Sequence, residues 1–229
     1  MTDQRVGGRA DQAWHARGLL SPNRRGHGLQ IVLAIVVLLL SASFVNRTRV
    51  TDAEVDVFHA INGLPDAFNV PLSAVMQLGN FFVVPIIAAG ALIWRRYRLA
   101  FDFAFAGSSA WLIAKVIKTS VERGRPLELL SDVVTRGHPG TGYGYISGHA
   151  AVAAALAAVV TPYVDRRWGI LIWALALIVG FARIYVGAHL PLDVVGGAAM
   201  GWAVGSLVHF LLGPPDRNVL SRAPATEMA

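Results

Sequence analysis

Three short stretches of this chain carry residues that could handle a phosphoryl group: Lys118-x6-Arg125-Pro126, Ser147-Gly148-His149 and Arg183-x5-His189-x3-Asp193. A phosphoryl group spreads negative charge over three oxygens, and its transfer is catalysed mainly by positioning and charge stabilisation. Arg125 and Arg183 can each offer a planar fork to such oxygens, and Lys118 a point charge. Ser147-Gly148-His149 reads as a helix start, where free backbone N–H groups and the positive dipole end favour an anion. Gly148 lets the backbone approach closely, and the Ser147 hydroxyl adds a donor.

Two histidines suggest two roles. A neutral imidazole can attack phosphorus, and a protonated one can donate to the leaving oxygen. Asp193 follows His189 by four residues, one helical turn. From there its carboxylate would fix the ring tautomer and stabilise the developing imidazolium. His189 is therefore assigned as nucleophile. His149 has no carboxylate near it in sequence and is assigned as general acid.

These charges stand out because the rest of the chain is apolar. Of 229 residues, 55% are hydrophobic and 15% charged, and the mean hydropathy is +0.52. Soluble domains carry more charge than this. Several runs approach or exceed the roughly 18 residues that mark a membrane span. The expected fold is all-α, a polytopic membrane protein with six transmembrane helices. The spans are read at about 29–45, 70–94, 99–117, 147–164, 168–185 and 191–212. Span 2 contains Pro71 and Pro85, which predict a kink. Gly196, Gly197, Gly201 and Gly205 give span 6 small faces for close packing. Between spans 1 and 2, Thr51 to Glu54 has the capping-box pattern, and Val55, Val57, Phe58 and Ile61 fall on one face. This reads as a short amphipathic helix on the membrane surface. Residues 1–27 are expected to form a disordered cytoplasmic N-terminus, 28–212 the membrane domain and 213–229 a cytoplasmic tail. No cleavable signal sequence is expected, so the first run reads as a retained span.

Arginines cluster in the N-terminal segment, at Arg95, Arg96 and Arg98, and at Arg166 and Arg167. If six spans alternate, these three segments share one side, and the positive-inside rule makes it cytoplasmic. The same alternation places all three phosphate-handling stretches together on the outer face. The topology and the chemistry come from different residues, so their agreement is an independent check. The expected location is the cytoplasmic membrane, with both termini inside.

The three motifs in this order resemble the type 2 phosphatidic acid phosphatase superfamily. That group also includes vanadium-dependent haloperoxidases and undecaprenyl-diphosphate phosphatases. The family pattern is Lys-x6-Arg-Pro, then Pro-Ser-Gly-His, then Ser-Arg-x5-His-x3-Asp. Here Ile146 stands where the family has Pro, and Ala182 where it often has Ser. Neither departure removes a catalytic group. The resemblance covers roughly residues 50–210. It implies metal-independent catalysis through a phosphohistidine, with no cofactor. The expected substrate is a lipid phosphate or diphosphate: a polyprenyl diphosphate, phosphatidic acid or phosphatidylglycerol phosphate. The alternatives are a lipid phosphotransferase using an acceptor other than water, and a non-catalytic transporter or scaffold. Partners are membrane lipids and the lipid phosphate itself. The positive net charge does not indicate nucleic acid, because the cations flank membrane spans, and the sequence leaves the oligomeric state open. The absence of cysteine excludes thiol chemistry and disulfides.

Other polar residues read as ordinary. Arg123 and Arg136 are expected to be solvated loop charges, and Asp102 an interfacial charge near a helix start. Asp52, Glu54 and Asp56 are expected on a solvated face. Lys115 is expected to snorkel. His138, Tyr143 and Tyr145 are candidates for the substrate mouth. His15, His27, His59 and His209 have no evident partners.

Overall fold

A computed structural model describes residues 22–137 and 140–213 of the chain, and every regular element among them is helical. The expectations for residues 1–21, for the tail from 214 and for His138 lie outside the described residues. Helix α1 spans Pro22–Ser43, starting several residues before the expected span, with proline at the first helical position. Helix α2 spans Asp52–Asn62, and Thr51 caps it by accepting from the Glu54 N–H at 3.4 Å.

The face that α2 buries differs from the apolar one read in the sequence. Glu54, Phe58 and Asn62, spaced by four, turn inward, and Val57 is exposed. Phe58 packs with Ile184 and Leu190. Two polar side chains on that face find buried partners, so tertiary contacts rather than amphipathicity decide its orientation.

The expected second span is broken. It comprises α3, Asn69–Met76, a 3₁₀ turn at Gln77–Gly79, and α4, Val83–Ile93, with a 65° bend between the halves. The break falls between the two prolines. A Cβ on Gly79 would lie 2.5 Å from the His149 carbonyl oxygen and 2.7 Å from Val179. Only glycine lets the chain rest there, against the start of the helix that follows the site loop.

Helix α5 spans Tyr97–Val121 and α6 is a single turn, Pro126–Leu129. Helices α7, α8 and α9 span Gly148–Val160, Arg166–Tyr185 and Pro191–Leu212. By length and composition α1, α5, α8 and α9 can each cross a bilayer, and a fifth crossing is available if α3 and α4 form one span. Helix α7 is shorter than the fourth span expected at 147–164, because its last turn tightens into a 3₁₀ segment at Thr161–Tyr163.

Every residue of α7 from Ala150 to Val159 is buried. It runs along the glycine face of α9. A Cβ on Gly205 would meet the Ala155 carbonyl at 2.7 Å, and one on Gly201 would overlap the Ala151 carbonyl. Small residues let the two backbones touch, as in tightly packed membrane helices. At the end of α5 opposite Lys118, Asp102 is buried rather than interfacial. It accepts from Arg98 Nε at 2.8 Å and from the Tyr163 hydroxyl at 2.6 Å. His209 Nε2 lies 2.9 Å from the Val159 carbonyl.

The α7–α9 contact sets a stability test. Gly201→Val should lower the unfolding temperature in detergent markedly, because overpacking of this kind costs about 1–3 kcal/mol or more. Gly26→Ala, where an added Cβ meets nothing within 4 Å, should leave it unchanged or raise it slightly. Equal melting of the two variants would contradict the packing.

Candidate active site

Four helix ends converge on the residues singled out by type and spacing. Lys118 lies in the last turn of α5, Arg183 in the last turn of α8, His149 in the first turn of α7 and Asp193 in the first turn of α9. Cations at helix C-termini and a carboxylate at an N-terminus are each where the macrodipole favours them.

The cations are held by backbone oxygen. Lys118 Nζ donates to the carbonyls of Tyr143 at 2.7 Å and Gly144 at 2.9 Å. Arg125 donates through Nε to Gly142 at 2.7 Å, through Nη2 to Thr141 at 2.9 Å and through Nη1 to Ala188 at 2.9 Å. Lys118 and Arg125 therefore shape the 141–144 loop, and Tyr143 contributes its carbonyl rather than its ring. The Tyr145 hydroxyl bonds Ser41 of α1 at 2.9 Å, which makes it a packing residue. Arg183 is 6% exposed. Its Nη1 lies 3.3 Å from the Met76 sulfur, and its buried Nε has no hydrogen-bond partner among the described residues.

Ser147 caps α7, its hydroxyl accepting from the Ala150 N–H at 3.5 Å, while its own N–H donates to the Asp193 carbonyl at 2.8 Å. The second contact fastens the start of α7 to the start of α9. A Cβ on Gly148 would meet nothing within 4 Å, so the helix opens onto free space at this residue.

His189 sits in a tight turn between α8 and α9. Its N–H and that of Ala188 both donate to the Arg183 carbonyl, at 3.2 and 3.1 Å. Gly187 makes the turn with φ +76°, a conformation that favours glycine. The His189 Nδ1 lies 3.3 Å from Asp193 Oδ2. A carboxylate oxygen can only accept, so Nδ1 carries the proton and Nε2 keeps its lone pair. Burial first, then the positive charges of Lys118, Arg183 and Arg125, hold this imidazole well below the usual histidine range. His189 is therefore neutral at physiological pH, the state a nucleophile needs. The same set of interactions includes His149, so all five groups act on one another across a single site.

One of the residues read as solvated loop charges belongs to this site. Arg123 is fully buried. It donates to Asp193 Oδ1 at 2.9 Å and forks onto Glu54 at 2.6 and 3.1 Å. Glu54, likewise expected on a solvated face, is buried there. Arg136 is also held. It donates to the carbonyls of Asn62, Leu64 and Tyr185 at 2.7–2.9 Å, pairs with Asp66 and lies over the Tyr185 ring. It clamps the long loop to α2 and α8. Spacing along the chain held no sign of these partners. Lys115 lies with its Nζ 3.8 Å above the Trp111 ring, on the exposed face where snorkelling placed it.

A helical membrane-type fold with three cations, two histidines and a buried aspartate at its helix ends defines a phosphoryl-handling protein. The chain belongs to the PAP2 superfamily, which matches residues 99–213 and so contains all three motif stretches. It is 25% identical over 187 residues to the undecaprenyl-diphosphatase of Sulfolobus acidocaldarius, covering 79% of this chain and 87% of that one. It is 27% identical over 165 residues to phosphatidylglycerophosphatase B of Bacillus subtilis, covering 66% and 76%. The crystal structure of the transmembrane PAP2-type phosphatidylglycerolphosphate phosphatase of B. subtilis has the same fold, with TM-score 0.66, 24% identity and coverage of 80% and 95%. The protein is a phosphatase of this family, a hydrolase acting on phosphate esters.

Gly148 separates a folding effect from a site effect. Gly148→Ala should melt with the wild type, because the new methyl meets no protein atom. Its turnover should fall roughly 10- to 100-fold, since the methyl enters the space where phosphate meets the helix N-terminus. Wild-type turnover would remove Gly148 from the site.

Proposed function

We propose that the protein hydrolyses a lipid phosphate or diphosphate through a phosphohistidine formed on His189, in a site on the outer face of the cytoplasmic membrane. The observation that carries this reading is the His189–Asp193 pair set among Lys118, Arg125 and Arg183. His189 Nε2 attacks phosphorus as the bond to the leaving oxygen breaks. Asp193 stabilises the positive charge that develops on the ring. Lys118, Arg125, Arg183 and the N–H groups opening α7 take the equatorial oxygens, with the Ser147 hydroxyl as a further donor. His149 gives its proton to the leaving oxygen. The substrate's own charge, set among three cations, favours the protonated ring. Water then attacks the phosphohistidine, His149 accepts the proton, and inorganic phosphate leaves. The three fixed cations perform the charge neutralisation that Mg²⁺ performs elsewhere.

Three observations favour a lipid substrate: the apolar fold, and two relatives whose names specify undecaprenyl diphosphate and phosphatidylglycerophosphate. A chain-bearing substrate can reach a site at helix ends laterally from the bilayer. Six crossings, with α3–α4 and α7 each counted as one, put both termini in the cytoplasm and the four convergent helix ends outside. Hydrolysis is favoured over transfer to another acceptor because the relatives are named as phosphatases. A transporter would need charge along a path across the bilayer, and here the cations gather at one level.

Purified protein should release inorganic phosphate from one or more of a polyprenyl diphosphate, phosphatidic acid and phosphatidylglycerol phosphate, at the same rate in EDTA. His189→Ala should abolish turnover and phosphoenzyme labelling, read after an alkaline quench because a P–N bond is lost in acid. His149→Ala should slow leaving-group departure, and least for p-nitrophenyl phosphate. Persistent labelling in His189→Ala would refute the nucleophile assignment.

Topology is tested separately. The chain has no cysteine, and Ser131 and Asp165 are both exposed. Ser131→Cys, in the loop before α7, should react with a membrane-impermeant thiol reagent in intact cells, and Asp165→Cys should not. The opposite pattern would move the chemistry to the cytoplasm.

A further inference from the structure

We infer that Arg123 and Glu54 are positioning residues for the nucleophile, fixing Asp193 against His189 and preserving its negative charge for the imidazole. The inference rests on the reading of His189 as nucleophile. Asp193 uses both oxygens. Oδ2 accepts from the Leu190 N–H at 3.0 Å and faces His189 Nδ1 at 3.3 Å. Oδ1 accepts from Arg123 Nη1 at 2.9 Å. With Oδ1 engaged, the carboxylate cannot rotate away from the ring.

Arginine alone would do this at a cost to the chemistry. A guanidinium bonded to Asp193 neutralises the charge that must stabilise the imidazolium. Glu54 removes that conflict. It takes both terminal nitrogens of Arg123, at 2.6 and 3.1 Å, and its Oε1 also accepts from the Leu192 N–H at 3.0 Å. Two carboxylates and one guanidinium leave one net negative charge beside Nδ1. Glu54 and Arg123 are themselves buried, so solvent does not screen the arrangement. Helix α2, which the phosphate-handling motifs do not include, thereby reaches the reacting histidine through two side chains.

The test uses Glu54→Gln, which keeps the shape and loses the charge, and Arg123→Lys, which keeps the charge and loses the fork. Both are assayed in the full chain for steady-state hydrolysis of p-nitrophenyl phosphate and for phosphoenzyme formation after an alkaline quench, with melting in detergent as the folding control. By analogy with outer-shell partners of catalytic histidines, kcat should fall about 10- to 100-fold with KM nearly unchanged. Phosphoenzyme formation should slow even with this good leaving group, which separates an effect on the nucleophile from one on the acid. A folded variant with wild-type kcat, or one whose loss lies wholly in KM, overturns the inference. So does failure of both variants to fold, which would make the pair a folding element only. His189→Ala run in parallel keeps the two claims apart. If it retains phosphoenzyme, the underlying reading fails. If it is dead while Glu54→Gln is at wild-type rate, only the positioning role fails.

Discussion

A phosphate site inside an apolar helical protein must hold several cations close together, desolvated, without cancelling the field they exist to provide. Carboxylate partners would satisfy the donors and remove the charge. Among the described residues, Lys118 is held by two backbone carbonyls and Arg125 by three. A carbonyl satisfies a donor as a dipole and leaves the net charge in place. Arg123 is handled in the opposite way, with two carboxylates closed around one guanidinium. The contrast sorts cations only a few residues apart into two kinds. One kind keeps its net charge, and the other fixes the Asp193 carboxylate beside His189.

That requirement explains the loop. Loop backbone, whose carbonyls are not spent on helical bonds, is the readiest source of such partners. Among the described residues the 141–144 segment supplies four of these carbonyls, and Ala188 another. Crowding accounts for two glycines in and beside this segment, and a φ of +73° for Gly142. A Cβ on Gly140 would lie 3.1 Å from the Arg125 guanidinium, and one on Gly144 would lie 3.0 Å from Asp193. Arg136 fastens the preceding stretch to α2 and α8.

The helix ends were legible from sequence because apolar runs stop abruptly at charged residues. The motif residues were legible because their types and spacing fit one chemistry, and the structure brings Lys118, Arg125, His149, Arg183, His189 and Asp193 to one place. Arg123, Glu54 and Arg136 were not legible. Each looks like an ordinary loop or surface charge until its partner, some 70 residues away, is known. The same limit applies to the buried face of α2. Its apolar residues suggested a membrane-lying stripe, but the ion pair at Glu54 and the bonds of Asn62 to Val134 and Tyr185 turn a polar stripe inward. The kink expected from Pro71 and Pro85 is present as a 65° bend, but the close approach of Gly79 to His149 left no sign in the sequence.

The two departures from the family pattern fall on packing positions. Ile146 is fully buried, and a Cβ on Gly196 would lie 2.9 Å from its Cγ2. The branched side chain thus occupies the groove that a glycine of α9 leaves open, and the glycine and the isoleucine answer each other in volume. Ala182 is also fully buried. A hydroxyl there would need a partner, whereas a methyl needs none. His189 draws its orientation instead from Asp193 and from the Arg183 carbonyl beneath its turn. His189 is held by α8 and α9 together, and the Asp193 carboxylate behind it by Arg123 and, through that arginine, by α2. Orientation of the reacting ring is spread over elements that the three motifs alone do not contain.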